Sequence, residues 1–528
     1  MEEKIKQAIE NIAKNLEVHK EYIRFDNTEQ IYIIEDYLNN KIIEIKKNIK
    51  FDNLIDYPLK FYYCDFLETV IGRNKTFKEK IIFEEVVFCK VVNFSFSIFD
   101  KNINFSNVKF EDKLYFDKCQ FKEKFEFFGI NNLKAEFNSS HFKKEVYFGK
   151  EITDKNVEKS NSFGSCSFEY ANFSNCHFKK EVYFKNNDFK QVFFRNSKFN
   201  NNIHFNNSIF KDYADFHECE FEKTANFYRV RFDKTPNFSQ AIFKGNLNAV
   251  NTNLNFTFDD LQERIKQEYA FYETQRTAKE AGVIPNLYQE KSLDKFANDF
   301  RDSFRTFKNA LIKDNNLLDA SNFHKDELYC KEIELKESWN KLKKVDIDED
   351  IDQNNKNYSK LMDFLLLGFY RKLCDHHTDF LKVFNNLILL IALYALFVFG
   401  FTWLHDDKLE DTRAILTLFG FFLNLDKDFG YSLLINTLFV SLYICLVYTK
   451  SLFFGRYVVL IFSYIGFIIM LIKQPSVIHP LIGKIANESD KFFNYPSLIV
   501  LNILYTILLA LVLFSLQKTA RKNSIVPS

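Results

Sequence analysis

Phenylalanine recurs along this chain at an interval that neither a helix nor a strand produces alone. It stands at 83, 88, 94, 99, 105, 110, 116, 121 and 127, in steps that alternate five and six residues, and resumes at 137, 142 and 148. It then runs without a gap through Phe163, Phe168, Phe173, Phe178, Phe184, Phe189, Phe194, Phe199, Phe205, Phe210, Phe216, Phe221, Phe227, Phe232, Phe238 and Phe243. That last run makes 15 steps over 80 residues, and the phased total is 28 of the 64 Phe. Helices repeat every 3.6 residues and strands every two, so a longer interval held this far requires short segments joined by corners.

The position two before each phased Phe carries the other half of the signal. It holds mostly small or β-branched residues, among them Ser97, Val108, Cys119, Ser140, Val146, Cys166, Ala171, Cys176, Val182, Ser197, Ile203, Ser208, Ala214, Cys219, Ala225, Val230 and Ala241, with few exceptions such as Asn187 and Pro236. Lys, Glu, Asn and Asp fill the positions between. Residues two apart on an extended segment share a face, so each pair points one small and one large side chain inward before a corner. Four such sides close a coil of about 20 to 22 residues, in which each Phe packs on the Phe one coil above.

Segments such as ANFSNCHFKKEVYF (171–184) and ADFHECEFEKTANFYRVRF (214–232) resemble pentapeptide repeats, over about residues 83–250. The resemblance implies a right-handed quadrilateral β-helix; the counted ruler implies only the coil. Two departures stand out: an extra residue in alternate repeats, and the insertion GKEITDKNVEKSNS at 149–162, read as a surface loop. Twenty-eight Phe at four per coil give seven coils, a rod on the order of 34 Å long at ~4.8 Å per coil. Each buried Phe is worth ~1.5–3 kcal/mol before conformational entropy is subtracted.

The expected organisation is a helical N-terminal cap over 1–60, the β-helix over 61–250, a helical connector over 257–345, an acidic linker over 346–360, and an α-helical transmembrane domain over 361–528. Ile5, Ile9, Ile12 and Leu16 mark one helical face at the start, where an open solenoid end needs covering. After the rod, Arg264, Lys266, Phe271, Tyr272 and Glu273 resemble a linker found between pentapeptide repeats and membrane segments. Four apolar spans are read at about 383–404, 430–449, 453–472 and 495–516, each near the ~20 residues that a bilayer requires. Lys and Arg around the spans, including Arg371, Lys372, Lys382, Lys450, Arg456, Lys518 and Arg521, favour both termini and the rod on the cytoplasmic side of an inner membrane. The apolar pieces 414–425 and 477–486 are too short to span and are read as re-entrant or interfacial.

Chemistry is sparse. No nucleotide-binding glycine motif, HExxH or GxSxG occurs, and nine scattered Cys make no disulfide framework. Cys176–His177 needs no metal, because the inward slot accounts for the Cys. His376, His377 and Asp379, in CDHHTDF (374–380), are the candidate metal ligands, since His376 and Asp379 would share a helical face. The competing reading is a polar collar at the membrane surface; neither a metal nor a cofactor is expected.

Soluble pentapeptide-repeat proteins include DNA mimics, whose rods must be strongly negative. Residues 83–243 hold 24 Lys+Arg against 22 Asp+Glu, net +2, and the whole chain is at +1, so neither a decoy nor a nucleic-acid binder is expected. The expected function is a non-enzymatic integral membrane protein that displays the rod as a docking scaffold. Its partners would be the lipid bilayer and a protein, with a homo-oligomer compatible. The alternative is an ion channel or gated pore that uses the rod as a sensor or assembly domain, although apart from Arg456 near the start of the third span no acidic, basic or His residue interrupts the spans.

Overall fold

The computed structural model describes residues 2–149, 165–280, 291–342, 351–405 and 496–521. Two compact units are present, Met1–Phe364 and Leu365–Pro527.

The first unit is built on a β-solenoid. A representative coil lays down Ile81–Glu84, Val87–Phe88, Val92–Asn93 and Ile98–Phe99, and Ile103–Ser106 opens the next. Each segment pairs in parallel with its counterpart one coil on: Phe83 with Phe105, Phe88 with Phe110, Asn93 with Tyr115, and Phe99 with Phe121. The result is four ladders. Nine strands stack in one of them from Leu59–Tyr62 to Leu247–Asn248, so the solenoid has about nine turns. This exceeds the seven coils expected from the phased Phe. Leu59, Phe61, Phe66, Val70 and Phe77 are buried in an earlier coil, and Leu247 and Ala249 in a later one, where Leu, Val and Ala blur the ruler.

Ring stacking follows from that register. Phe205 lies 5.2 Å from Phe184 and 5.1 Å from Phe227 with nearly parallel planes, and meets Phe194 from the neighbouring side at 5.6 Å and 76°. Offset stacks along the axis and edge-to-face contacts across it are both favourable for the ring quadrupole.

The alternation of five and six residues has a backbone cause. Two of the four corners in a coil carry a left-handed residue, at an interval near eleven: Asn74, Glu85, Phe96, Asn107 and Lys118, then Asn175, Asn186, Asn196 and Asn207. Asn is prominent there because its short amide tolerates positive φ. Of the other two corners, one varies between five and six residues. With six, as in Phe88 to Phe94, two separate strands form; with five, as in Phe168 to Phe173 and Phe189 to Phe194, they fuse into Ser167–Asn172 and Asp188–Phe193.

Gly72 stands where the ruler calls for an aromatic ring. Phe51 and Phe94 instead approach each other at 5.6 Å. A Cβ at Gly72 would stand 2.6 Å from Phe94 Cε1 and 2.8 Å from Phe77 Cζ. Gly72→Ala is therefore expected to destabilise the first coils by about 1–3 kcal/mol through overpacking. A lowered urea midpoint with an unchanged slope would register this, and an unchanged midpoint would refute it.

The expected helical cap over 1–60 is corrected. Only α1, Glu2–Leu16, is a long helix, and it buries Ala8, Ile12, Ala13 and Leu16. Ile23–Asp26 and Ile31–Ile34 form an antiparallel pair, and the second of these pairs in parallel with Leu59–Tyr62. The run Ile31-Tyr32-Ile33-Ile34 is β-branched or aromatic throughout and buried on both sides, which favours a strand. This hairpin occupies an edge that a bare solenoid would leave open.

Beyond the last coil come α2 (Phe258–Glu280), α3 (Leu293–Lys313) and α4 (Leu317–Leu342). Phe307 of α3 packs 4.8 Å from Phe238 and 5.8 Å from Phe243, and stacks on Phe323 of α4 at 5.2 Å. The aromatic column thus continues into the helices that close its end.

In the expected acidic linker over 346–360, residues from Ile351 onward belong to α5, Ile351–Cys374. Local charge made the stretch look like a spacer, but it leads into the apolar run that completes the helix. α6 covers Phe380–His405 and α7 covers Pro496–Ala520. Tyr394 of α6 stacks on Tyr505 of α7, and its hydroxyl donates to Asn502 Oδ1 at 2.5 Å. Among the described residues one stretch, Val500–Ala520 with mean hydropathy 2.2, is long and apolar enough to cross a membrane, and Phe380–Ile391 is a shorter apolar helix. The spans expected at 430–449 and 453–472, and the short pieces at 414–425 and 477–486, lie outside the described residues.

Candidate docking surface

The phased Phe are interior, so the solenoid's chemistry is confined to its outward positions. Phe173, Phe178, Phe184, Phe205, Phe210, Phe216, Phe221, Phe227 and Phe232 are at most 1% exposed, Phe238 is 4% exposed, and Phe243, beside the closing helices, is less completely buried. Outward charges pair along the axis, one coil to the next: Lys198 with Glu220 at 2.8 Å, Lys211 with Asp188 at 2.7 Å, and Lys244 with Glu222 at 2.8 Å. Asn side chains continue the pattern at corners, where Asn196 donates to Asn175 at 2.9 Å and Asn207 to Asn186 at 3.1 Å. Tyr147, Tyr183 and His204 form an outward ladder spaced 4.8 and 4.9 Å.

The inward small slot does more than save space. Ser208 Oγ donates to the Phe184 carbonyl at 2.5 Å and accepts the Asn187 N–H at 3.0 Å; Ser140 and Ser197 repeat this geometry. Cys119, Cys176 and Cys219 direct their thiols to the carbonyls of Phe94, Phe137 and Phe194. At left-handed corners a buried carbonyl lacks a ladder partner, and a short hydroxyl or thiol supplies one. Sequence reasoning read the slot by size alone; the recurrence of Ser and Cys over Ala was the available clue. Burial pushes the Cys119 and Cys166 thiols up to about 12, so these thiols are poor nucleophiles.

One outward corner departs from the polar rule. Phe96 is 42% exposed and holds φ 65°, a conformation costly for a bulky side chain. The Arg73 guanidinium lies 4.9 Å and the Lys118 ammonium 5.2 Å from its ring centroid. In the next coil Asp117 accepts the Asn138 N–H at 3.0 Å. Burial pushes its carboxyl up to about 6, with Glu136 adding to the shift. Because the folded value lies above the ordinary 3.8, this group favours the fold most below pH 3.8, and the benefit fades as pH rises through about 6. Asp117→Asn should therefore raise stability above pH 6 by about 1 kcal/mol after solvent screening is discounted, and flatten this part of a pH–stability curve. A variant less stable than the parent at pH 7 would contradict it.

A buried charge network joins the solenoid to α2. Asp215 is fully buried and accepts from Arg195 Nε at 2.9 Å and Nη2 at 2.5 Å. Arg195 also lies 3.3 Å from Glu268 of α2, and the Tyr213 hydroxyl donates to the same carboxylate. Arg264 stacks 4.0 Å over Tyr213, and Arg195 lies 5.1 Å from the Phe271 ring. Arg264 and Phe271 thus anchor α2 to the coils, a role that only the three-dimensional arrangement reveals.

The candidate metal ligands do not assemble. Residues 375–378 form a turn, with Asp375, His376 and His377 at φ 49°, 53° and 70°, so His376 and Asp379 share no helical face. His376 and His377 are buried, and His377 Nδ1 lies 3.5 Å from Cys374 Sγ. Asp379 caps α6 by accepting the Lys382 N–H at 3.0 Å. Among the described residues no group of three or more His, Cys, Asp or Glu is placed to hold a metal ion.

Comparison with known families matches residues 173–220 to a model described as pentapeptide repeats (9 copies). The chain carries pentapeptide repeats. The matched stretch contains Cys176, Ser197, Ser208 and Cys219, so the repeats include the hydrogen-bonding slots as well as the stacked Phe. No curated protein and no solved structure matches the chain.

Proposed function

We propose that this chain is a non-enzymatic integral membrane protein whose repeat solenoid is a docking scaffold for a protein partner. In this reading four spans anchor it in an inner membrane, the coil winds right-handed, and the solenoid stands on the cytoplasmic side, where Lys and Arg around the spans favour it. The observation that carries the docking role is Phe96, a strained and exposed aromatic between two cations. Aromatic and Arg side chains of this kind dominate interface energetics. The self-paired charges elsewhere on the solenoid leave little net field for nucleic acid.

The test compares partners captured in detergent from the native membrane by the full chain and by Phe96→Asn. Asn suits left-handed backbone, so the variant should fold at least as well as the parent. A partner held by the parent and lost by Phe96→Asn, with carbonate-resistant membrane retention of both, is the expected result. Equal recovery by both chains overturns the docking role, and release by carbonate overturns the anchor. Reproducible ion-selective conductance in planar bilayers would promote the channel instead.

A further inference from the structure

We propose that the C-terminal half of α5 lies in the headgroup layer of the bilayer, its exposed apolar side chains bedded in lipid beside the entry of α6; this rests on the membrane-anchored reading above. The turn at 375–378 fixes the geometry. Asn386 of α6 donates through Nδ2 to the carbonyls of Lys372 and Leu373 at 3.2 and 2.8 Å, and Lys382 Nζ donates to the Arg371 carbonyl at 2.9 Å. These bonds hold the last turn of α5 level with the first two turns of α6.

Among the described residues, one side of this part of α5 faces protein. Leu373 and Cys374 are buried in a cluster with Val383, Leu387 and Ile391. Elsewhere Leu365 and Leu366 are 53% and 50% exposed, and Phe380 and Leu381 at the start of α6 are 42% and 62% exposed. Leu365 and Leu366 thus stand open on α5 within about 15 Å of its end, ten residues at 1.5 Å each, and Phe380 and Leu381 stand open where α6 begins.

Lipid is the occupant that fits, because the level is set by the chain itself. Arg371, Lys372, Asp375, Asp379 and Lys382 lie on one side of this point, and the uncharged run 383–404 begins on the other. A polar collar followed directly by a span marks the headgroup depth, where a helix with an apolar side and basic flanks beds and its Lys and Arg stems reach back to water.

The test uses the full chain with Trp339→Phe and Trp403→Phe, which removes both native tryptophans. Leu365→Trp, Leu366→Trp and, on α7, Leu504→Trp are then introduced singly. Each is reconstituted in phosphatidylcholine vesicles containing lipids brominated near the headgroup or deep in the chain. Shallow bromine should quench Leu365→Trp and Leu366→Trp by roughly half, with weaker effects from deep bromine and aqueous iodide. Deep bromine should quench Leu504→Trp. Quenching of the α5 probes by iodide alone, or by neither agent, overturns the proposal while a lipid-quenched Leu504→Trp leaves the anchor intact. Loss of lipid quenching at all three sites overturns both.

Discussion

Phe205→Ala is expected to destabilise the solenoid by about 3–5 kcal/mol, the range for removing a fully buried Phe from a core that cannot collapse around the gap. Phe205 is 0% exposed and touches Phe184 and Phe227 along the axis and Phe194, Phe210 and Phe216 across it. A solenoid contacts only its neighbouring coils, so the loss should be local. Hydrogen exchange should speed up in the strands around 182–227 while the strands at 81–106 keep their protection. Uniform loss of protection across all coils, or a destabilisation below about 1 kcal/mol, would show that the stacked column is not the cooperative core.

The second large effect is expected at the seam. Asp215→Ala leaves Arg195 part-buried with Glu268 as its remaining carboxylate partner. Breaking a buried pair from one side costs about 3–5 kcal/mol, and the partial exposure of Arg195 places this one at about 3. α2 should exchange faster around 261–271, where Leu261 and Ile265 are buried and Glu268 reaches Arg195 of the coils. Adding Arg195→Met should recover part of the loss, because the stranded cation is then gone. If the double variant is no more stable than Asp215→Ala, the network contributes little beyond packing.

The two effects differ in how far the chain announces them. The Phe column was legible because every coil asks for the same ring at the same phase, and repetition makes a weak local preference conspicuous. The first coil was less legible, since Gly72 omits a ring and Phe51 and Phe94 close in on the gap. The hairpin at 23–34 was hidden by a charged, amphipathic start that suggested more helix than the structure has. The slot hydroxyls were visible as small residues, but their partners are carbonyls one coil below, more than twenty residues away.

The candidate site divides similarly. Phe96 belongs to the Phe-rich background of the sequence, and nothing local distinguishes it from the phased rings; its exposure follows from falling on a corner. Arg195, Asp215 and Glu268 are unremarkable charges until the coil and α2 bring them together. Conversely, His376, His377 and Asp379 are adjacent in sequence but are separated in role by a turn of left-handed residues.

By itself the sequence determined the solenoid, its nearly balanced surface charge and the apolar character of its C-terminal third, because periodicity and composition are properties a single chain displays at every position. Tertiary structure alone decided which carbonyls the small side chains satisfy, where α2 docks, how the ends are closed, and that Phe96 is left in solvent. Those outcomes depend on pairings between distant residues, and a pairing is a property of geometry that no single stretch of chain contains.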